Sequence, residues 1–112
     1  MKFSIQNALS FGWEGLKGKA YNSKEDFDNA SAAIFEVVGS HGKVKTTKSD
    51  RIYYVVEGEG EFSVNGETFK VSTEDVIIIP KNTPYDYKTT SGAMKLFLVH
   101  TPAYDQDAEV KL

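Results

Sequence analysis

Asn65-Gly66 separates two short runs of strand-forming residues, 61–64 and 67–71, and no other feature restricts the fold of this chain so tightly. Both turn residues tolerate the positive φ that a two-residue hairpin connection requires. An antiparallel hairpin is therefore expected across residues 61–71. Comparable runs recur on either side of it. Residues 33–38 and 51–56 are rich in β-branched and aromatic side chains and stop at Gly39 and before Gly58. Residues 75–79 form a continuous apolar stretch closed by Pro80, the pattern of a strand covered on both faces. Residues 85–88 and 95–100 read as two further strands, separated by a turn at 89–92 and ended before Pro102. Seven or so short strands predict an all-β sandwich or small barrel, between which periodicity does not choose.

Residues 1–29 carry a different signal. Gly12, Gly15 and Gly18 interrupt any helix or strand there, and residues 23–26 look like exposed loop. This segment is expected to be an arm on a domain spanning residues 30–112. Its apolar side chains, Phe3, Ile5, Leu9, Phe11 and Trp13, need a surface to cover, either this barrel or a second copy. A homodimer is the simplest closed answer.

A length of 112 residues, 40% of them hydrophobic and 26% charged, suits one compact domain. The net charge of −3 gives no basic field for a phosphate backbone, so no nucleic-acid partner is expected. No apolar run reaches the length of a membrane span, and the first residues lack the apolar block of a signal peptide, which makes a cytoplasmic location the default. Without cysteine there is no disulfide, thiolate ligand or thiol nucleophile.

The turn residues fall at a fixed spacing. Gly39 is followed after five residues by Lys45, then by Thr47, Arg51 and Gly58; Glu74 is followed after five residues by Pro80, then by Asn82 and Tyr85. This framework resembles the paired motifs of the cupin family, whose fold is a double-stranded β-helix, the jelly-roll barrel. The resemblance covers residues 33–102 and implies that a ligand site lies between the two sheets. Gly39, Gly58 and Pro80 match the motif, while Glu74 and Asn82 replace two of its glycines. At the four positions where the family places its metal ligands, three histidines and a glutamate, this chain has Lys45, Thr47, Tyr85 and Arg51. A transition metal needs three or four His, Cys or carboxylate donors, and the whole chain has only His41 and His100, so neither a metal nor another cofactor is expected.

Alternate residues of a strand share a face, which extends the expected lining from Arg51 to Tyr53, from Tyr85 to Tyr87, and from Lys45 to Thr47 and His41. Such cationic and phenolic groups suit a small anionic ligand, a sugar, nucleoside or keto compound with a carboxylate or phosphate. Metal-free cupins include sugar epimerases, ketoisomerases and a nucleoside-aldehyde dehydratase. By resemblance, His41 would be the base, Tyr53 or Tyr85 the acid or carbonyl donor, and Lys45, Thr47, Arg51 and Tyr87 the substrate-binding groups. Each also has a plainer role: His41 as an exposed strand end, Tyr53 as a wall residue, and His100 as the structural end of the last core strand. A non-catalytic binding module and a metal-dependent cupin with an atypical site stand as the alternatives.

Overall fold

The computed structural model describes residues 1–112 and contains ten β-strands and two single 3-10 turns, with no α-helix. β1 (Leu9–Trp13) and β2 (Leu16–Ala20) form a hairpin. β3 (Ser31–Ser40), β4 (Val44–Thr46), β5 (Asp50–Glu57), β6 (Glu59–Val64), β7 (Glu67–Ser72), β8 (Val76–Ile79), β9 (Tyr85–Thr101) and β10 (Glu109–Lys111) follow in order. All pairings are antiparallel.

β9 organises the two layers. Its second half lies between β3 and β5, giving a layer in the order β1-β2-β3-β9-β5-β8. Its first half lies between β6 and β4, giving a second layer, β7-β6-β9-β4-β10. Residues 85–88 and 95–100 thus belong to one long strand rather than two. The turn expected at 89–92 is absorbed as an irregularity, where the register with β3 jumps from Val38↔Ala93 to Ser40↔Lys88 and Gly92 takes φ +70°.

The inner faces enclose one core. Phe35, Val37, Tyr53, Val55, Phe62, Val71, Ile77, Ile79, Met94, Leu96 and Leu98 are all buried in it. The Asn65-Gly66 hairpin is present, with both residues at positive φ and Val64 opposite Glu67. Glu74 and Asn82, which replace the motif glycines, also sit at positive φ, +75° and +64°, so the backbone geometry of those turns survives the loss of glycine.

Two further expectations are corrected. The run 75–79 is not covered on both sides: β8 pairs only with β5, Ile77 and Ile79 point inward, and Val76 and Ile78 are 58% and 64% exposed because no third layer lies over them. The glycines near the N-terminus do not interrupt strands. Gly12 and Gly18 lie inside β1 and β2, where a Cβ would come within 2.5 Å and 2.4 Å of the carbonyl oxygens of Leu16 and Ile34. They permit close approach of neighbouring backbones. The hairpin they build extends the layer beyond β3 and sends Leu16 into the core.

Candidate functional site

β5 enters the barrel with Arg51, only 3% exposed, and continues on the same face with Tyr53 and Val55. β9 enters with Tyr85 and Tyr87, also buried. Arg51 Nη1 donates to the Tyr53 hydroxyl at 3.3 Å, and that hydroxyl donates to the Tyr85 hydroxyl at 3.2 Å. The guanidinium carbon stands 5.2 Å from the centre of the Tyr85 ring, a cation–π contact. Burial drives the Tyr53 and Tyr87 phenols above their ordinary range, so both remain protonated donors near neutrality.

His41 is brought to this cluster by the loop between β3 and β4. Its backbone N–H donates to the Tyr87 carbonyl, and the N–H of Gly42, at φ +99°, donates to Asp86 Oδ1, both at 2.8 Å. These bonds lay the imidazole on Tyr87, with ring centres 4.6 Å apart, and within 6.0 Å of Tyr85. His41 is therefore part of the aromatic cluster rather than an exposed strand end. Burial lowers its pKa below 6.5, assisted by Arg51 and opposed by contact with the Gly42 carbonyl and by Glu109 and Asp86. A neutral imidazole at physiological pH follows.

Lys45 and Thr47 are not in the cluster. Val44 is opposite the inward Tyr85, and Thr46 is opposite Glu109, so Val44 and Thr46 take the inner face and their neighbours the outer one. The alternation changes parity between His41, which joins the cluster, and Val44, across Gly42 at φ +99° and the gap between β3 and β4. Both residues must be removed from the expected lining.

Three residues not expected in the site take positions in it. His100 is opposite Arg51 on β9 and 6% exposed; burial, and then the Arg51 charge, drive its pKa down to about 3. Glu109 reaches in from β10, its Oε1 3.4 Å from Arg51 Nη2, while its Oε2 accepts from the Tyr104 hydroxyl at 3.4 Å. Tyr104 also meets the edge of His100, with ring centres 5.2 Å apart. The alternation Leu96, Leu98, His100 was readable as one face; nothing in the sequence marked Glu109.

The middle of the barrel is filled by the rings of Tyr53, Phe62, Tyr85 and Tyr87, while His41, Glu109 and Trp13 are the more exposed groups at its border, the Trp13 and His41 ring centres lying 6.2 Å apart. No three His, Asp or Glu side chains converge on a common point, and the group standing at the motif's glutamate position is a guanidinium. These residues do not fit the divalent metal associated with the motif.

The cupin-domain family model matches residues 35–100, more than half of the chain. The chain belongs to the cupin family. Among solved structures, this cupin is similar to Pac13, a nucleoside dehydratase, with 26% identity over 100% of this chain and 90% of that one and a TM-score of 0.87. The Streptomyces protein has also been solved with uridine in variants where one histidine or one of two tyrosines is replaced, each 25% identical to this chain. KdgF from a Halomonas species shares the fold at 18% identity, TM-score 0.82, over 96% of this cupin and 97% of that chain. An uncharacterised protein of Methanocaldococcus jannaschii is 33% identical over 64 residues, 55% of this cupin and 51% of that protein. One from Aquifex aeolicus is 32% identical over 63 residues, 56% and 52% of the respective chains. This cupin spans about half the length of the curated relatives it matches. No helix is long and apolar enough to cross a membrane.

Proposed function

We propose that this cupin is a metal-independent lyase or isomerase acting on a small hydroxylated carbonyl compound of the nucleoside or sugar class, with His41, Tyr53 and Tyr85 as its acid–base groups. The observation that carries the reading is the neutral His41 imidazole held over Tyr87, beside a phenol pair that an arginine orients. The likeness to a nucleoside dehydratase over the whole chain supports it.

In a dehydration, His41 takes the proton from the carbon next to the substrate carbonyl, and Tyr53, held by Arg51, turns its one hydroxyl hydrogen from the Tyr85 oxygen to the developing oxyanion. Tyr85 gives its proton to the departing hydroxyl, so C–H and C–O bonds break, a C=C bond forms and water leaves. Transfer of the proton from the imidazolium to the phenolate restores both groups. Tyr87 serves as the platform under His41. The test is to incubate metal-stripped protein with β-hydroxy aldehydes of nucleosides and sugars and follow the conjugated double bond by its ultraviolet absorbance. Turnover lost in His41→Ala supports the reading, and turnover retained in that variant contradicts it.

A second reading, a non-catalytic binding module, has its own observation: Tyr53 is 0% exposed and Tyr85 1%, so the acid groups sit deep in packed rings. It predicts saturable binding with no substrate consumed. The same proposal includes a homodimer formed through the outer face of β5 and β8, where Ile52 lies opposite Ile78 and Tyr54 opposite Val76, all exposed.

A further inference from the structure

Arg51 is the one strong anion-binding group buried in the barrel, yet its charge is already matched. Glu109 holds one oxygen 3.4 Å from Arg51 Nη2 and receives the Tyr104 hydroxyl on the other, so the carboxylate is fixed at both ends. Its side chain is 24% exposed against 3% for Arg51, so the carboxylate is the solvent-facing member of the pair. An anion approaching this ion pair from solvent therefore meets the acid before the base. The other charges acting on His41 point the same way, since Glu109 and Asp86 are both acidic and Arg51 alone is basic. Lys45, the second expected cation, lies on the outer face of β4.

Glu109 is carried by a strand of three residues that pairs only with β4, tied further by Thr47 N–H to the Ala108 carbonyl and by Leu112 N–H to the Lys43 carbonyl. Two polar atoms stay buried beside the ion pair without a partner, Arg51 Nε and His100 Nε2. With His100 held neutral, they present an N–H donor and an imidazole nitrogen, which hydroxyl and carbonyl groups satisfy without bringing charge. A phosphate or carboxylate would instead lie against Glu109, where like charges repel.

We infer that Glu109 sets the charge of the ligand: by occupying Arg51 it makes the site selective for an uncharged hydroxylated molecule, a free nucleoside or sugar, and turns away the phosphorylated counterpart. This rests on the proposed ligand class, and replaces the anionic ligand that Arg51 and Lys45 suggest when the sequence is read alone.

The test uses thermal unfolding and calorimetric titration with uridine, uridine monophosphate and inorganic phosphate, at ionic strength matched with sodium chloride. Wild-type protein should be stabilised by uridine and indifferent to phosphate. In Glu109→Gln, inorganic phosphate should stabilise the fold saturably, and the affinity ratio of uridine monophosphate to uridine should rise about tenfold or more. Glu109→Ala should behave alike if the amide disturbs folding, Glu109→Asp should keep the wild-type indifference, and the double variant Glu109→Gln/Arg51→Met should lose the phosphate effect. Wild-type protein that prefers the monophosphate, or Glu109 variants that gain nothing from phosphate, would overturn the inference. The phosphate arm contains no nucleoside, so a phosphate site gained in Glu109→Gln upholds the role of Glu109 even where uridine fails to bind, a failure that counts against the proposed ligand class instead.

Discussion

The His41 ring lies nearly parallel to that of Tyr87, with centres 4.6 Å apart and an angle of 21° between the planes. Stacking fixes the imidazole and excludes water from one of its faces, and burial holds its pKa below 6.5. The neutral form is the base, so kcat/KM should be flat near neutrality and fall as pH drops through this lowered value. Arg51 lowers that pKa and Glu109 raises it. Arg51→Met should therefore move the acid limb to higher pH, and Glu109→Gln to lower pH, as read from pH–rate profiles or from the His41 ring protons by NMR. His41→Ala should cost about 10²–10⁴-fold in turnover.

Tyr53→Phe should destabilise the fold. The hydroxyl is buried and joins Arg51 Nη1 to the Tyr85 oxygen, so its removal strands two polar groups in the core. The expected loss is about 1–3 kcal/mol in urea unfolding, with an unchanged m-value.

His100 makes stability depend on pH. Its folded pKa, about 3, is depressed from 6.5, so the unfolded chain binds the extra proton between those values. The contribution is complete above 6.5 and is lost as pH falls towards 3, at about 1.4 kcal/mol per unit within that window. His100→Gln cannot take up the proton and should flatten the acid side of a plot of melting temperature against pH.

Much of the fold and part of the site are legible in the sequence. Turn chemistry at Asn65-Gly66, strand runs closed by glycine or proline, and motif spacing indicated the barrel, while alternation from Arg51 and Tyr85 indicated the phenol cluster. What failed did so where strand alternation depends on a neighbour. A change of alternation across the left-handed Gly42 put Lys45 and Thr47 outside, and an edge strand left Ile78 uncovered although its sequence suits a covered one. Gly12 and Gly18 looked like interruptions because the backbones they admit come from distant residues. Glu109 was hidden for the same reason: its partner, Arg51, is 58 positions away in the chain.

The exposed pairs Ile52–Ile78 and Tyr54–Val76 should be covered by a second copy. Light scattering at micromolar concentration should give twice the chain mass for the wild type and a single chain mass for Ile78→Lys, whose ammonium would be desolvated in the interface. An Ile78→Lys dimer would place the contact elsewhere.

Calorimetric titration of uridine into metal-stripped wild-type protein and into His41→Ala tests most directly whether the histidine and tyrosine cluster is a ligand site. One-to-one saturable binding that weakens at least about tenfold in the variant is the predicted result. Binding that is absent from the wild type, or equal in the two proteins, would contradict it.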